Sequence, residues 1–356
     1  MRNFFPEKVF VETAAANLER TKEILRKLGG KEITFVEDYR GIDFTDESVD
    51  ARFSRAKKCL AIAVKKGDMV KEFRRHPALR QGREYYLFHA ANCPFDCSYC
   101  YLQCYFENAV PTIFVNTDEL FGQVEHVLKE ERDRKILFHA GETADAFALE
   151  HLSGFAADAV QFFAQTKNGT LELRTKSANV DSILPLAHNG HTVVSWTLTP
   201  RRIAEKYEIG AASLKERLRA ASRCRDAGYP IGLRLDPLIH YDGWRGGYAE
   251  LIEEIFRALD PEQIHSIVFG AFRFPPALSE ILVARLGRDP LVLGEFVLSP
   301  DGKLRYFRHI REEMYRYLIG MFRDRCGKDY LRKIALAMEP EYVWKNVGLS
   351  AGEVSC

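Results

Sequence analysis

Four cysteines fall close together, at Cys93, Cys97, Cys100 and Cys104, in the stretch Asn92-Cys93-Pro94-Phe95-Asp96-Cys97-Ser98-Tyr99-Cys100-Tyr101-Leu102-Gln103-Cys104. The spacing is C-x3-C-x2-C, followed by a fourth cysteine after three residues. Crowded soft donors in a long chain with no secretory signal read as metal chemistry rather than as a disulfide framework. Sulfur suits zinc or an iron–sulfur cluster. A structural zinc site is closed by four ligands, typically two separated pairs. No second pair follows here, so zinc requires Cys104 or a distant histidine. Three thiolates on one short loop suit a [4Fe–4S] cubane held at three of its irons, the fourth iron being open to another ligand.

Such a loop needs a rigid mount. Short β-rich runs occur at 84–90, 135–141, 171–176, 191–199, 231–239 and 266–272. Each is separated from the next by enough chain for a helix, except for the tight stretch 177–190. Alternating strand and helix signals predict a parallel α/β sheet or barrel. Ser213-Leu214-Lys215-Glu216 reads as a capping box, with Gly228 ending the same helix. Thr117, Asp118 and Glu119 open another helix, with acidic residues at its positive end. The cysteine loop directly follows the first of these strands, at the strand C-terminus where barrel enzymes gather their sites.

Composition narrows the class. The chain has 356 residues, 46% hydrophobic and 28% charged, with a net charge of +1. That balance supports a large core and about two domains, and no global charge excess advertises a polyanion. No apolar run reaches the length of a membrane span, and Met1-Arg2-Asn3-Phe4-Phe5-Pro6 lacks the apolar region of a signal peptide. The expectation is a cytoplasmic globular protein.

The cysteine loop resembles that of the radical S-adenosylmethionine (radical SAM) superfamily. That resemblance implies a partial (β/α)6 TIM-type barrel over 84–284, an N-terminal α/β extension over 1–83 and a C-terminal basic and aromatic extension over 285–356. It also implies that Cys93, Cys97 and Cys100 hold a [4Fe–4S] cluster whose open iron chelates S-adenosyl-L-methionine. Further words narrow it: Cys100-Tyr101-Leu102-Gln103, Val115-Asn116-Thr117-Asp118-Glu119, Thr175-Lys176, His188-Asn189-Gly190, Ala227-Gly228-Tyr229-Pro230-Ile231-Gly232, Pro237-Leu238-Ile239 and Asp242-Gly243-Trp244. In this order and spacing they resemble the spore photoproduct lyase family, radical SAM lyases that reverse a thymine dimer in DNA.

The resemblance implies roles residue by residue. Tyr99 and Tyr101 match loop tyrosines that relay hydrogen between a thiol and the cofactor radical. Lys176 matches a lysine that meets the methionine carboxylate, and Thr197 stands at a hydroxyl contact to the cofactor. Asp236 replaces a small residue near the adenosine, and Thr199 replaces an asparagine. Glu142 occupies the position of the family's hydrogen-donating cysteine. The sequence Ala140-Gly141-Glu142 is similar instead to the general "GGE" element that accepts hydrogen bonds from the cofactor's amino group. A carboxyl O–H bond is too strong to supply a hydrogen atom to a carbon radical, so either another thiol is the donor, with Cys104 the first candidate, or the reaction is different. Cys224 comes second and also reads as a buried helix residue. The implied partners are lesion-containing DNA and an electron donor such as a flavodoxin or ferredoxin.

Local charge points the same way. Residues 51–83 hold 11 Lys and Arg against 2 Asp and Glu, and residues 301–333 hold 10 against 5. The second stretch interleaves its charge with Tyr306, Phe307, Tyr315, Tyr317, Phe322 and Tyr330. Cations with stacking aromatics can form a strand-binding groove, or equally a solvated face over a helix core. Arg273, Arg305 and Tyr306 are the substrate-binding candidates, and Arg273 can equally pair with a barrel carboxylate. His139, His188 and His240 read as polar core or rim more than as site residues, and Trp196 and Trp244 as packing.

Overall fold

The computed structural model describes residues 3–44, 48–73, 83–289 and 291–350. The described residues fall into two compact units. The first takes those of Met1–Phe73, Gly82–Val193 and Glu208–Ala212, and the second those of Val194–Tyr207 and Ser213–Cys356.

The first unit contains a five-stranded sheet in the order β2-β1-β3-β8-β6. Its strands are β1 (Lys8–Glu12), β2 (Ile33–Val36), β3 (Cys59–Ala63), β6 (Ala90–Ala91) and β8 (Thr112–Phe114). All but β6 pair in parallel. Every residue of β3 is buried, the mark of a parallel strand covered on both faces. Val9, Val11, Leu60, Ile62 and Ile113 pack there against Ile24 and Leu28 of the helix Glu19–Leu28. The compact unit therefore crosses residue 83, because β3 pairs with β8.

In the same unit β4 (Val70–Glu72), β5 (Arg83–Leu87), β9 (Ile136–Ala140) and β10 (Gly169–Thr175) lie side by side. β5, β9 and β10 are parallel, with His139 in register with both Tyr86 and Glu172. A small antiparallel ribbon joins β7 (Asp96–Cys97) to β12 (Glu208–Ile209).

In the second unit the parallel order is β11 (Thr192–Thr197), β13 (Ile231–Leu238), β14 (Ile264–Ala271) and β18 (Ile334–Leu336). β15 (Arg273–Phe274), β16 (Phe296–Leu298) and β17 (Leu304–Tyr306) form an antiparallel sheet. The helix Leu214–Asp226 starts with both halves of the Ser213/Glu216 capping box in place. All six expected strands are present as β5, β9, β10, β11, β13 and β14, and no helix or strand intervenes between Thr175 and Thr192. Residue 284 lies inside the helix Ala277–Leu286. No described helix is long and apolar enough to cross a membrane.

Candidate active site

The cysteine loop is tied down from three sides. Cys97 is held in the β7–β12 ribbon opposite Glu208. The Cys100 N–H donates to the Cys97 carbonyl at 3.0 Å. The Lys57 ammonium donates to the Cys93 carbonyl at 2.9 Å. The buried Gln103 side-chain amide then donates to the carbonyls of Cys97 (3.3 Å), Ser98 (2.8 Å) and Cys100 (3.1 Å). Backbone carbonyls in a tight loop have no ladder partners, so this one amide supplies what a strand otherwise would. Gln103 was quoted only as part of a family word; its role needs the folded loop.

Burial pushes the Cys93 thiol up to about 11 and Cys97 well above its ordinary value. Buried thiols of this kind become thiolates when a metal supplies the compensating charge. Soft sulfur donors on one loop fit a cluster bound through Cys93, Cys97 and Cys100. Among the described residues, no three His, Cys, Asp or Glu side chains are grouped to share a single metal ion. Thiols that each hold a separate iron of a cubane need no such convergence. Cys104 lies at the end of the short turn Tyr101–Cys104, its thiol donating to the Tyr101 carbonyl at 3.2 Å.

The two loop tyrosines have different partners. Tyr99 is 6% exposed, and its hydroxyl donates to the buried Glu208 carboxylate. The Lys176 ammonium lies 5.4 Å from the centre of the Tyr99 ring, a cation–π contact. Tyr101 is 38% exposed, and its hydroxyl donates to the Glu142 carbonyl at 2.6 Å. Lys176 is placed by Asp145, whose carboxylate accepts from the Lys176 N–H (2.6 Å), the Thr175 hydroxyl (2.8 Å) and the N–H groups of Phe147 and Ala148 (both 2.9 Å). Asp145 was not singled out from the sequence, since an Asp after a strand carries no distinctive signal.

Glu142 follows β9 through Gly141, whose φ is +125°. A Cβ at Gly141 meets the Arg174 Cβ and carbonyl oxygen at 2.7 Å, so only glycine fits. The Glu142 Oε1 pairs with Arg174. Arg174 also donates from Nε to Glu172 at 2.7 Å and sets Nη2 2.6 Å from His139 Nδ1. His139 lies 2.7 Å from Glu172 and 3.2 Å from Glu84. Strand alternation puts Glu172 and Arg174 on one face of β10, with His139 in register on β9. The polar-core reading of His139 therefore describes its burial, and its partners link it to Glu142. Charged residues within strands read as buried and parallel were the available signal.

In the second unit Thr197 is buried, and its carbonyl accepts from the buried Arg217 guanidinium at 3.0 Å. Asp236 is paired with Arg273, at 2.9 and 3.2 Å, the carboxylate-pairing alternative for that arginine. Arg305 is 5% exposed and donates to Asp301 and to the Met338 carbonyl (2.8 Å). Tyr306 is 1% exposed, stacked on Phe296. Cys224 is fully buried in its helix.

The stacking-groove reading of 301–333 needs correction. Tyr306, Tyr315, Phe322 and Tyr330 are all buried, and Phe307 is the exposed large aromatic of that stretch. The helix Arg308–Cys326 turns Tyr315 and Phe322 into the core with Tyr317 half-buried, and Arg311 is buried against Glu339 at 2.8 Å. This is the solvated face over a helix core. In 51–83, Arg74, Arg75 and Arg80 lie outside the described residues.

Known proteins resemble this chain over most of its length. The family model for spore photoproduct lyase matches residues 4–295. A spore photoproduct lyase of Geobacillus sp. (strain Y412MC61) is 28% identical over 303 residues, covering 83% of this chain and 86% of the relative. That of Bacillus subtilis (strain 168) is 29% identical over 301 residues, 82% and 85% of the two chains. A solved spore photoproduct lyase complexed with dinucleoside spore photoproduct superposes with a TM-score of 0.82 at 26% identity, covering 94% of this chain and 99% of that one. A variant solved with AdoMet and the dinucleoside spore photoproduct gives 0.83 at 25%, with the same coverage. The fold is thus the α/β fold of radical SAM enzymes. The chain belongs to the spore photoproduct lyase family.

Proposed function

We propose that this chain is a radical SAM lyase that reverses a thymine-dimer-type photolesion in DNA, taking its electron from a flavodoxin or ferredoxin. The observation that carries the reading is the family match over residues 4–295, which spans the whole cysteine loop. Family membership supports a catalytic cluster over a zinc site closed by Cys104. Cys93, Cys97 and Cys100 hold the [4Fe–4S] cluster, and Glu142, Lys176, Thr197 and Asp236 are the cofactor-binding candidates. When bound, the cluster and S-adenosylmethionine supply one-electron chemistry that starts by removing a hydrogen atom from the substrate.

The chain's own residues must finish the reaction. Glu142 is held by Arg174 as an ion pair and has no hydrogen atom to give. Cys104 gives its S–H hydrogen to the substrate carbon radical left when the C–C bond breaks, becoming a thiyl radical. Tyr101, whose carbonyl accepts from that thiol, and Tyr99 are the loop tyrosines that return a hydrogen atom to it. The basic segment of 51–83 is the source of phosphate contact, and Arg273 is held by Asp236 instead. Tyr306 and Arg305, being buried, support the sheet behind them.

The test is anaerobic turnover of dinucleoside spore photoproduct with the reconstituted protein, reading 5′-deoxyadenosine and repaired thymines by mass spectrometry. Lesion-dependent release of both supports the reading. Cofactor cleavage with no photolesion dependence overturns the DNA assignment and favours a family member acting on another nucleotide, a peptide or a small molecule. The replacement of the donor thiol by Glu142 is what gives that second reading its weight.

A further inference from the structure

The buried charges around Glu142 form a graded series. Side-chain exposure is 5% for Glu84, 3% for His139, 10% for Glu172, 14% for Arg174 and 26% for Glu142. The series begins in the interior of β5 and ends at a carboxylate that reaches solvent. Its members come from β5, β9 and β10, and Arg174 touches three of the other four. Each face of its guanidinium fork is used: Nε on Glu172, Nη1 on Glu142 and Nη2 against His139. The Glu142 backbone is fixed independently, by the Tyr101 hydroxyl on its carbonyl. Among the described residues the second carboxylate oxygen, Oε2, has no hydrogen-bond partner.

We infer that Arg174, anchored by Glu172, His139 and Glu84, is a positioning residue that turns Glu142 Oε2 outward to accept a hydrogen bond from an amino group. The inference rests on the proposed binding of S-adenosylmethionine and adds the device that makes Glu142 selective for its amino group. Two opposing effects follow from a guanidinium beside this carboxylate. It draws charge away from the acceptor oxygens, and it removes the rotational freedom of the carboxylate. At hydrogen-bond range the second effect wins, because a misdirected carboxylate loses the charge-assisted bond altogether. Lysine cannot substitute fully, since one ammonium cannot reproduce the planar fork that spans Glu142, Glu172 and His139.

The experiment is calorimetric binding of S-adenosylmethionine to the anaerobically reconstituted protein, alongside its analogue lacking the amino group. Arg174→Met is expected to weaken S-adenosylmethionine by about tenfold, a loss typical of one charge-assisted hydrogen bond, and to leave the des-amino analogue unchanged. Arg174→Lys recovers part of the loss. His139→Gln, which keeps the residue polar, is expected to reproduce the effect in smaller measure and serves if Arg174→Met does not fold. A general structural defect weakens both ligands equally, and that outcome overturns the inference, as does unchanged or tighter S-adenosylmethionine binding. If the unaltered protein binds neither ligand, the proposed function itself has failed, and with it the premise.

Discussion

Two buried charge systems in this chain use the same residue types to opposite ends. Around Glu339, Arg311 donates to both carboxylate oxygens, at 2.8 and 3.3 Å, and Tyr315 adds a third bond at 3.0 Å. Arg311 also donates to the Tyr306 carbonyl, and Tyr315 accepts from the Ala271 N–H. Both carboxylate oxygens of that system are engaged. Around Glu142 the series is equally buried at its root and ends on an oxygen with no partner among the described residues. A closed system stabilises one arrangement of helix and strand. An open one keeps an ionised group in place for something that arrives later. Counting charges cannot separate these cases; counting satisfied atoms can.

The largest expected effect breaks the open region. Cys97→Ala loses the cluster, measured as iron per chain after anaerobic reconstitution, whereas Cys104→Ala keeps its iron and loses lesion repair. Equal loss of iron in both variants makes Cys104 a ligand and removes it as hydrogen donor. Next comes the closed system. Arg311→Met leaves Glu339 charged and buried without its cation and is expected to cost about 3–5 kcal/mol, read from urea unfolding. S-adenosylmethionine affinity of the folded fraction should not move. A loss of affinity there would erase the contrast between the two systems.

The smallest effect concerns a third carboxylate, Glu150, which is buried against neutral donors only. It accepts from the N–H groups of Ala156 (2.7 Å) and Ala157 (3.2 Å) and from the Ser182 hydroxyl (2.8 Å). Burial outweighs these bonds and pushes its carboxyl up to about 7, from an ordinary 4.5. The folded state then holds the proton more tightly than the unfolded chain. The stability this group contributes is complete below about pH 4.5 and is lost as the pH rises through 7. Glu150→Gln cannot titrate, so the stability gap between variant and parent should shift by roughly 3 kcal/mol in the variant's favour between pH 4.5 and 8. Parallel curves mean that Glu150 stays ionised throughout.

The thiol loop and the six parallel strands could be read from the chain because their signals are local. Cysteine spacing is a property of one loop, and the β-rich runs at 84–90 through 266–272 announce themselves within a few residues. The Ser213 capping box is likewise complete in four residues. The C-terminal stretch misled for the complementary reason. Tyr306, Tyr315 and Phe322 look like a stacking surface until the helix is rotated against its neighbours, and a helical face has no inside or outside on its own.

What the sequence by itself determined is the chemistry available: a trio of sulfurs with a fourth thiol nearby, and a carboxylate, Glu142, just past a β-rich run. What only the tertiary structure decided is which of those groups remain open for use. Glu142 meets Arg174 across 32 residues and Tyr101 across 41, and Tyr99 meets Glu208 across 109. Such pairings follow from strand register and chain crossings, where one residue of slip sends a side chain to the opposite face, and no local pattern encodes them.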